Sequence, residues 1–228
     1  MSSLKELNLD YCRMRKLPEF GECMENLSVL SLWGAAIEEL PTTIGCLVGL
    51  KELRLQFCTR MTCLPESIQN LKSLTILNLA FCSNVVQSLH CLSGLTSLDT
   101  LGLTGCFVRP QESRCFNLGN LVSLTDLDLS RNKFEKLPVN INELPGLRRL
   151  NLDYCPTLKL LPKLPSSITE LYAHGCKSLD PLPSNVCRGI APSAIHDSDG
   201  LLHKWLAQNE GEEIRKWILE ILNSDTWN

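Results

Sequence analysis

The chain has 228 residues, 22 of them basic and 25 acidic, for a formal net charge of −3. This near-balance gives no global reason for a nucleic-acid partner, which demands a basic excess, and no run approaches the ~18 apolar residues of a membrane span. Apolar residues at 44% suffice for a sizeable core, and aromatics at only 6% make that core mainly aliphatic.

The first residues, Met1-Ser2-Ser3-Leu4-Lys5-Glu6, are polar and lack the apolar region of a secretory signal. From Leu4 onward the phrase Leu-x-x-Leu-x-Leu-x-x-Cys recurs. It begins at Leu4, Leu27, Leu50, Leu74, Leu98, Leu124, Leu147 and, with Ile for Leu, Ile168. The intervals are 23, 23, 24, 24, 26, 23 and 21 residues, all within the ~20–29 of leucine-rich repeats. The fold expected is an α/β repeat solenoid: a leucine-rich repeat horseshoe over 1–183 with about eight repeats, a concave parallel β-sheet and short or irregular convex segments.

Each phrase holds a short strand. Leu53 and Leu55 lie two apart and point to one face, with Arg54 on the other. Leu7/Leu9, Leu30/Leu32, Leu77/Leu79, Leu101/Leu103, Leu127/Leu129 and Leu150/Leu152 repeat the pattern. One repeat cannot bury its leucines alone, so its neighbours must close the core. Leu-Pro-x-x-Ile follows at Leu40–Ile44, Leu64–Ile68 and Leu137–Ile141. Its proline fixes φ and has no donor, which suits a short helical or 3₁₀ turn or an extended convex segment. Phe107 to Phe116, with Arg109, Pro110, Glu112 and Arg114, lacks Leu-Pro and reads as a protruding loop or a neutral insertion.

The chain contains 12 cysteines, and six of them (Cys12, Cys58, Cys82, Cys106, Cys155 and Cys176) take the ninth place of the phrase; Ala35 and Asn132 take it elsewhere. There the residue turns inward, Asn to hydrogen-bond backbone and Cys to fill space. Adjacent rungs stand about 4.8 Å apart, but their Cβ vectors run parallel, and a disulfide needs them to converge. The expectation is free buried thiols without bridges, and hence a reducing compartment, cytosol or nucleus. No Cys-x-x-Cys occurs, and His90, His174, His196 and His203 show no ligand spacing. His90-Cys91 and the Cys58/Cys63 pair are weak signals, so no metal is expected.

Outward positions near the end of each phrase form a row: Tyr11, Trp33, Phe57, Phe81, then Gly105 and Arg131, then Tyr154 and, slightly off register, Tyr172 or His174. Six aromatics along one row is uneven for a chain so poor in them. Lys51, Arg54, Arg148 and Arg149 lie beside the row, as do Glu6, Asp10, Glu52, Asp126, Asp128 and Asp153. The mixed charge suits a protein partner. The concave-face binding residues expected are Tyr11, Trp33, Arg54, Phe57, Phe81, Arg131, Arg149, Tyr154, Tyr172 and His174; the competing reading is that the rings pack laterally on one another and cover the rims of the sheet. No phosphate loop, dinucleotide fingerprint, His-Glu-x-x-His or Gly-x-Ser-x-Gly occurs, so neither catalysis nor a cofactor is expected. Asn26-Leu27-Ser28 matches the glycosylation triplet, but its Leu27 is a repeat leucine.

After Cys176 the repeat fades. Residues 184–200 read as a linker, and 201–228 as an amphipathic helical tail with Ile214, Trp217, Ile218, Ile221 and Leu222 at helical spacing. The tail is either a cap over the open end of the solenoid or a docking helix. The opposite end has no comparable cap, which points to a piece of a longer protein or a truncated product.

Leu160-Leu161-Pro162-Lys163-Leu164-Pro165-Ser166-Ser167-Ile168-Thr169-Glu170-Leu171-Tyr172-Ala173-His174-Gly175-Cys176-Lys177-Ser178-Leu179, together with Leu40-Pro41 to Ile44 and the cysteine rungs, resembles the leucine-rich repeat region of plant intracellular immune receptors of the Toll/interleukin-receptor, nucleotide-binding type. The resemblance covers roughly residues 4 to 183. It implies recognition of a pathogen effector or modified host protein, and restraint of a nucleotide-binding domain. The signalling and nucleotide-binding parts have no counterpart in this sequence, and 184–228 does not match the usual following domain. By itself the chain should bind no nucleotide. Alternatives are a generic intracellular scaffold and a ubiquitin-ligase substrate adaptor.

Overall fold

The computed structural model describes residues 3–20, 24–106, 118–137, 141–179 and the backbone of 195–196. The predicted loop of Phe107 to Phe116, most of the 184–200 linker and the whole 201–228 tail lie outside the described residues.

Among the described residues nine parallel strands pair in sequence order in one sheet. They are β1 (Glu6–Asn8), β2 (Val29–Ser31), β3 (Glu52–Arg54), β4 (Ile76–Asn78), β5 (Thr100–Gly102), β6 (Asp126–Asp128), β7 (Arg149–Asn151), β8 (Glu170–Tyr172) and β9 (Ile195–His196). The first eight are those the phrase predicts. β9 pairs with β8 inside the segment read as linker, where no leucine phrase signals it.

The register follows from the alternation. Leu7, Leu30, Leu53, Leu77, Leu101, Leu127, Leu150 and Leu171 align rung to rung. All but Leu7 are fully buried; Leu4, Leu7, Leu9 and Cys12, on the first rung, are only partly covered. A one-residue slip would turn the whole leucine set to solvent, so burial locks the register.

Proline shapes the far side as its chemistry requires. Pro41 and Pro65, at φ −65° and −72°, precede 3₁₀ segments Thr42–Cys46 and Glu66–Asn70. Each proline carbonyl accepts the N–H of the following isoleucine at 3.0 Å. Ile44, Leu47, Ile68 and Leu71 are thereby driven into the core. The fourth repeat lacks Leu-Pro and instead carries a 12-residue 3₁₀ stretch, Ser83–Gly94. That length is unusual for 3₁₀ geometry. Buried Ser88 ties it to the preceding rung: its hydroxyl accepts the Leu64 N–H (2.8 Å) and donates to the Val85 carbonyl (2.7 Å).

The ninth-position ladder is hydrogen-bonded as well as packed. Cys58, Cys82, Cys106, Cys155 and Cys176 each donate a thiol hydrogen, at 2.9–3.3 Å, to the carbonyl of the last strand-flanking leucine of the preceding rung. Asn132 does the same to Leu103 (2.9 Å) and also donates to Leu129 and Ser130. The Ala35 side chain has nothing to donate. All nine described cysteines are free thiols; Cys46 and Cys63 are exposed. Burial pushes the Cys106 thiol up to about 12. The Cys82 thiol beside Cys58, with burial, raises Cys58; Cys176 and burial raise Cys155 in the same way. Among the described residues no helix is long and apolar enough to cross a membrane.

Candidate functional site

The chain leaves each strand through a tight turn, and that turn places the aromatic row. In the third rung Cys58 N–H returns to the Leu55 carbonyl, while Phe57 N–H reaches forward to Ala80 of the next rung. A four-residue turn with this closure needs φ > 0 at its third residue when it is of type II. Asn8, Asn78, Asp128 and Asn151 assist by accepting the N–H two residues on with their side chains, at 2.8–3.0 Å.

That third residue is Tyr11, Gly34, Phe57, Phe81, Gly105, Arg131, Tyr154 and Gly175 in successive rungs, with φ between 56° and 70°. Left-handed geometry is free for glycine but costs roughly 1–2 kcal/mol for other residues. Five rungs nevertheless carry a large side chain there. The ten predicted binding residues therefore fall into three sets. Tyr11, Phe57, Phe81, Arg131 and Tyr154 occupy the left-handed turn on the rim beyond the strands, where the sequence reading had placed outward strand positions. Trp33 and His174 sit one residue earlier, before Gly34 and Gly175. Arg54, Arg149 and Tyr172 lie on β3, β7 and β8, on the outer face of the sheet.

The rim residues lean on the next rung. Tyr11 and Trp33 ring centres are 6.0 Å apart, Trp33 and Phe57 6.3 Å, and Phe57 and Phe81 4.6 Å, the last two pairs stacked. Phe81 ends the run by folding over Gly105, where a Cβ would approach its ring to 2.6 Å. Farther on, the Arg131 guanidinium stands 4.8 Å over the Tyr154 ring, and Arg149 5.1 Å over Tyr172. The lateral packing weighed as an alternative is thus real, yet the rings remain open: Tyr11, Trp33, Phe57 and Tyr154 are 43–68% exposed. Beside them Gln56 Oε1 is shielded from solvent without a hydrogen-bond partner.

A hollow of about 530 Å³ adjoins this row, lined by Arg13, Arg15, Gly34, Ala35, Ala36, Phe57, Thr59 and Arg60. It exists because the second rung has small residues, Gly34-Ala35-Ala36, between the arginines of the first and third. Arg15 also faces Glu38 at 3.4 Å. The sequence reading missed these arginines. Aligning the repeats so that the residues after Cys12, Ala35 and Cys58 stand side by side would have found them.

The outer face beyond Gly105 is different. Asp126 and Asp128 lie there, near enough to Asp99 of the fifth rung for their charges to interact, with Arg149 contacting Asp126 (3.8 Å) and Glu170 (3.7 Å). Burial, and then the neighbouring carboxylates, raise the Asp126 pKa above its ordinary value despite Arg149. Asp153 accepts both the backbone N–H and the Nδ1 side of His174 at 2.8 Å.

One open parallel sheet with inward leucines, cysteine rungs and a rim of variable residues defines a leucine-rich repeat protein, and the comparisons agree. The family described as "Leucine-rich repeat region" matches residues 1–105, and "Leucine Rich Repeat" matches 123–144. The leucine-rich repeat domain of the type III effector XopL superposes with a TM-score of 0.69 at 23% identity, covering 86% of this chain and 70% of that one. The chain belongs to the leucine-rich repeat family, and its repeats are similar to those of plant disease resistance proteins. It is 35% identical over 192 residues to "Disease resistance protein RPS4B" of Arabidopsis thaliana, covering 84% of this chain and 15% of that protein. It is 42% identical over 197 residues to "Disease resistance-like protein CSA1" of the same plant, covering 86% and 16%. The chain thus spans about 15% of the length of the curated relatives it matches.

Proposed function

We propose that this chain is a protein-recognition module of a plant disease resistance receptor. It senses a pathogen effector or a modified host protein and restrains a nucleotide-binding domain, acting in the cytoplasm or nucleus. The observation that carries this reading is the set of exposed rings at a left-handed turn position. Glycine fits that position without strain and is used in three rungs, so the exposed rings of Tyr11, Phe57 and Tyr154 have a use beyond folding. Aromatic and arginine side chains are the residues that most often anchor protein interfaces. The arginine-lined hollow beside Phe57 supplies a place for an acidic side chain of the partner. Numerous free thiols suit a reducing compartment.

The test places Trp33→Ala and Phe57→Ala together in a receptor carrying this chain. Both side chains are exposed, so the receptor should accumulate normally. Effector-triggered cell death should fall at least tenfold. Unchanged cell death at equal receptor level would remove the rim from recognition. Arg13→Glu with Arg60→Glu should then report on restraint: effector-independent signalling is the outcome expected if the hollow holds the nucleotide-binding domain.

A further inference from the structure

On the face opposite the sheet, Glu66, His90 and Cys91 bring one carboxylate oxygen, one imidazole nitrogen and one sulfur within 4.8 Å of one another. Glu66 opens the 3₁₀ segment of the third repeat, and His90-Cys91 lie on the long 3₁₀ stretch of the fourth. Glu66 and His90 are 24 residues apart, one repeat, which is why stacking makes them neighbours. Ligand-spacing rules applied along the sequence pass over such a pair.

His90 Nδ1 lies 3.1 Å from the Gln87 carbonyl. A carbonyl only accepts, so Nδ1 carries the hydrogen. In the neutral ring Nε2 is then a bare lone pair. Yet Nε2 faces Glu66 Oε1 at 3.0 Å and Cys91 Sγ at 3.6 Å. The Glu66 carboxylate therefore needs a positive charge at Nε2: either a second proton on the ring, which makes an ion pair, or a metal cation, which would also engage the Cys91 sulfur. A catalytic relay is a poor fit, because it would use both ring nitrogens, whereas here both partners converge on Nε2.

We propose that Glu66, His90 and Cys91 form a binding site for a divalent cation of the zinc class, ligated by Glu66 Oε1, His90 Nε2 and Cys91 Sγ. Around tetrahedral zinc, bonds of about 2.0–2.3 Å put ligand atoms roughly 3.2–3.8 Å apart; the two distances from Nε2, 3.0 and 3.6 Å, are close to that range, and Glu66 and Cys91 approach within 4.8 Å. The Nδ1 hydrogen on a backbone carbonyl is the outer contact that metal-bound histidines generally make. Mixed oxygen, nitrogen and sulfur donors select a borderline-soft ion over calcium or magnesium. Glu66 and His90 side chains are 71% and 56% exposed, so the ion can enter and a water can take the fourth position. Cys91 is buried beneath them. Binding as thiolate releases the thiol proton to solvent as the sulfur–metal bond forms.

The experiment titrates the full chain, kept reduced, with Zn²⁺ against a chromophoric chelator, and with Co²⁺ for its thiolate charge-transfer absorption. One Zn²⁺ should bind per chain, with a Co²⁺ spectrum showing a single thiolate in a tetrahedral field. Glu66→Gln and His90→Ala change exposed side chains and leave the core intact; each should weaken Zn²⁺ at least tenfold. Cys91→Ser should remove the charge-transfer band. Wild-type Zn²⁺ affinity in both Glu66→Gln and His90→Ala would overturn the proposal, as would the absence of saturable one-to-one binding in the unaltered chain.

Discussion

The rungs before Gly105 and those after it share one spine and differ in what the spine displays. In the first four rungs Tyr11, Trp33, Phe57 and Phe81 form a continuous run of rings, with arginines around an adjoining hollow. In the sixth to eighth, arginines lie over tyrosines and carboxylates crowd the sheet. Inward leucines and ladder residues are the same in kind throughout. The difference teaches that the fold and the surface are written in separate positions of the repeat, so a surface can change along the solenoid without altering what holds it together.

Thiol labelling would test the common spine with the largest contrast. Exposed Cys46 and Cys63 should react at least about a thousandfold faster than Cys58, Cys82, Cys155 or Cys176, because reaching a ladder thiol requires opening the stacked rungs. Peptide mapping by mass spectrometry reads the rates. Faster labelling of one pair of ladder thiols than the other would break the equivalence of the two halves.

Core truncation should also treat the halves alike. Leu53→Ala and Leu150→Ala each remove a fully buried side chain and should each cost about 2–5 kcal/mol. Urea unfolding measures this. Two transitions in either variant would mean that the halves unfold separately.

The turn residues should separate the halves more finely. Phe57→Gly removes a stacked ring, worth about 0.5–1.5 kcal/mol, but relieves a left-handed backbone costing about 1–2 kcal/mol. Its stability should therefore change by less than about 1 kcal/mol in either direction. Arg131→Gly gives up only a cation–π contact of about 0.5–1 kcal/mol and should be neutral to slightly stabilising. A loss above about 2 kcal/mol in either would show that these side chains hold the fold, contrary to a surface role.

The smallest effect concerns the acidic half. The raised pKa of Asp126 means that the folded state holds its proton more tightly than the unfolded state. Its stabilising share is complete below the ordinary carboxylate value of 3.8 and is lost as pH rises through the folded value. Asp126→Asn should accordingly gain stability at neutral pH, by less than about 1 kcal/mol at this half-open site, and the gain should vanish in acid. A gain that persists below pH 3.8 would assign it to something other than charge.

Period, strand register, inward leucines and the inward ladder were legible in the sequence, because each depends on contacts that recur identically in every repeat. Residues alternating two apart and a period near 23 state the fold eight times over. Tertiary structure decided the rest. It moved Tyr11, Phe57, Phe81, Arg131 and Tyr154 from the strand to a left-handed rim, a shift set by how each turn closes on the next rung. It added β9 without a leucine phrase. It joined Arg13 to Arg60 across small Ala35 and Ala36, and Glu66 to His90 across one repeat. Those meetings depend on which side chains of different rungs stand side by side and on how large the intervening one is, and stacking in space supplies both.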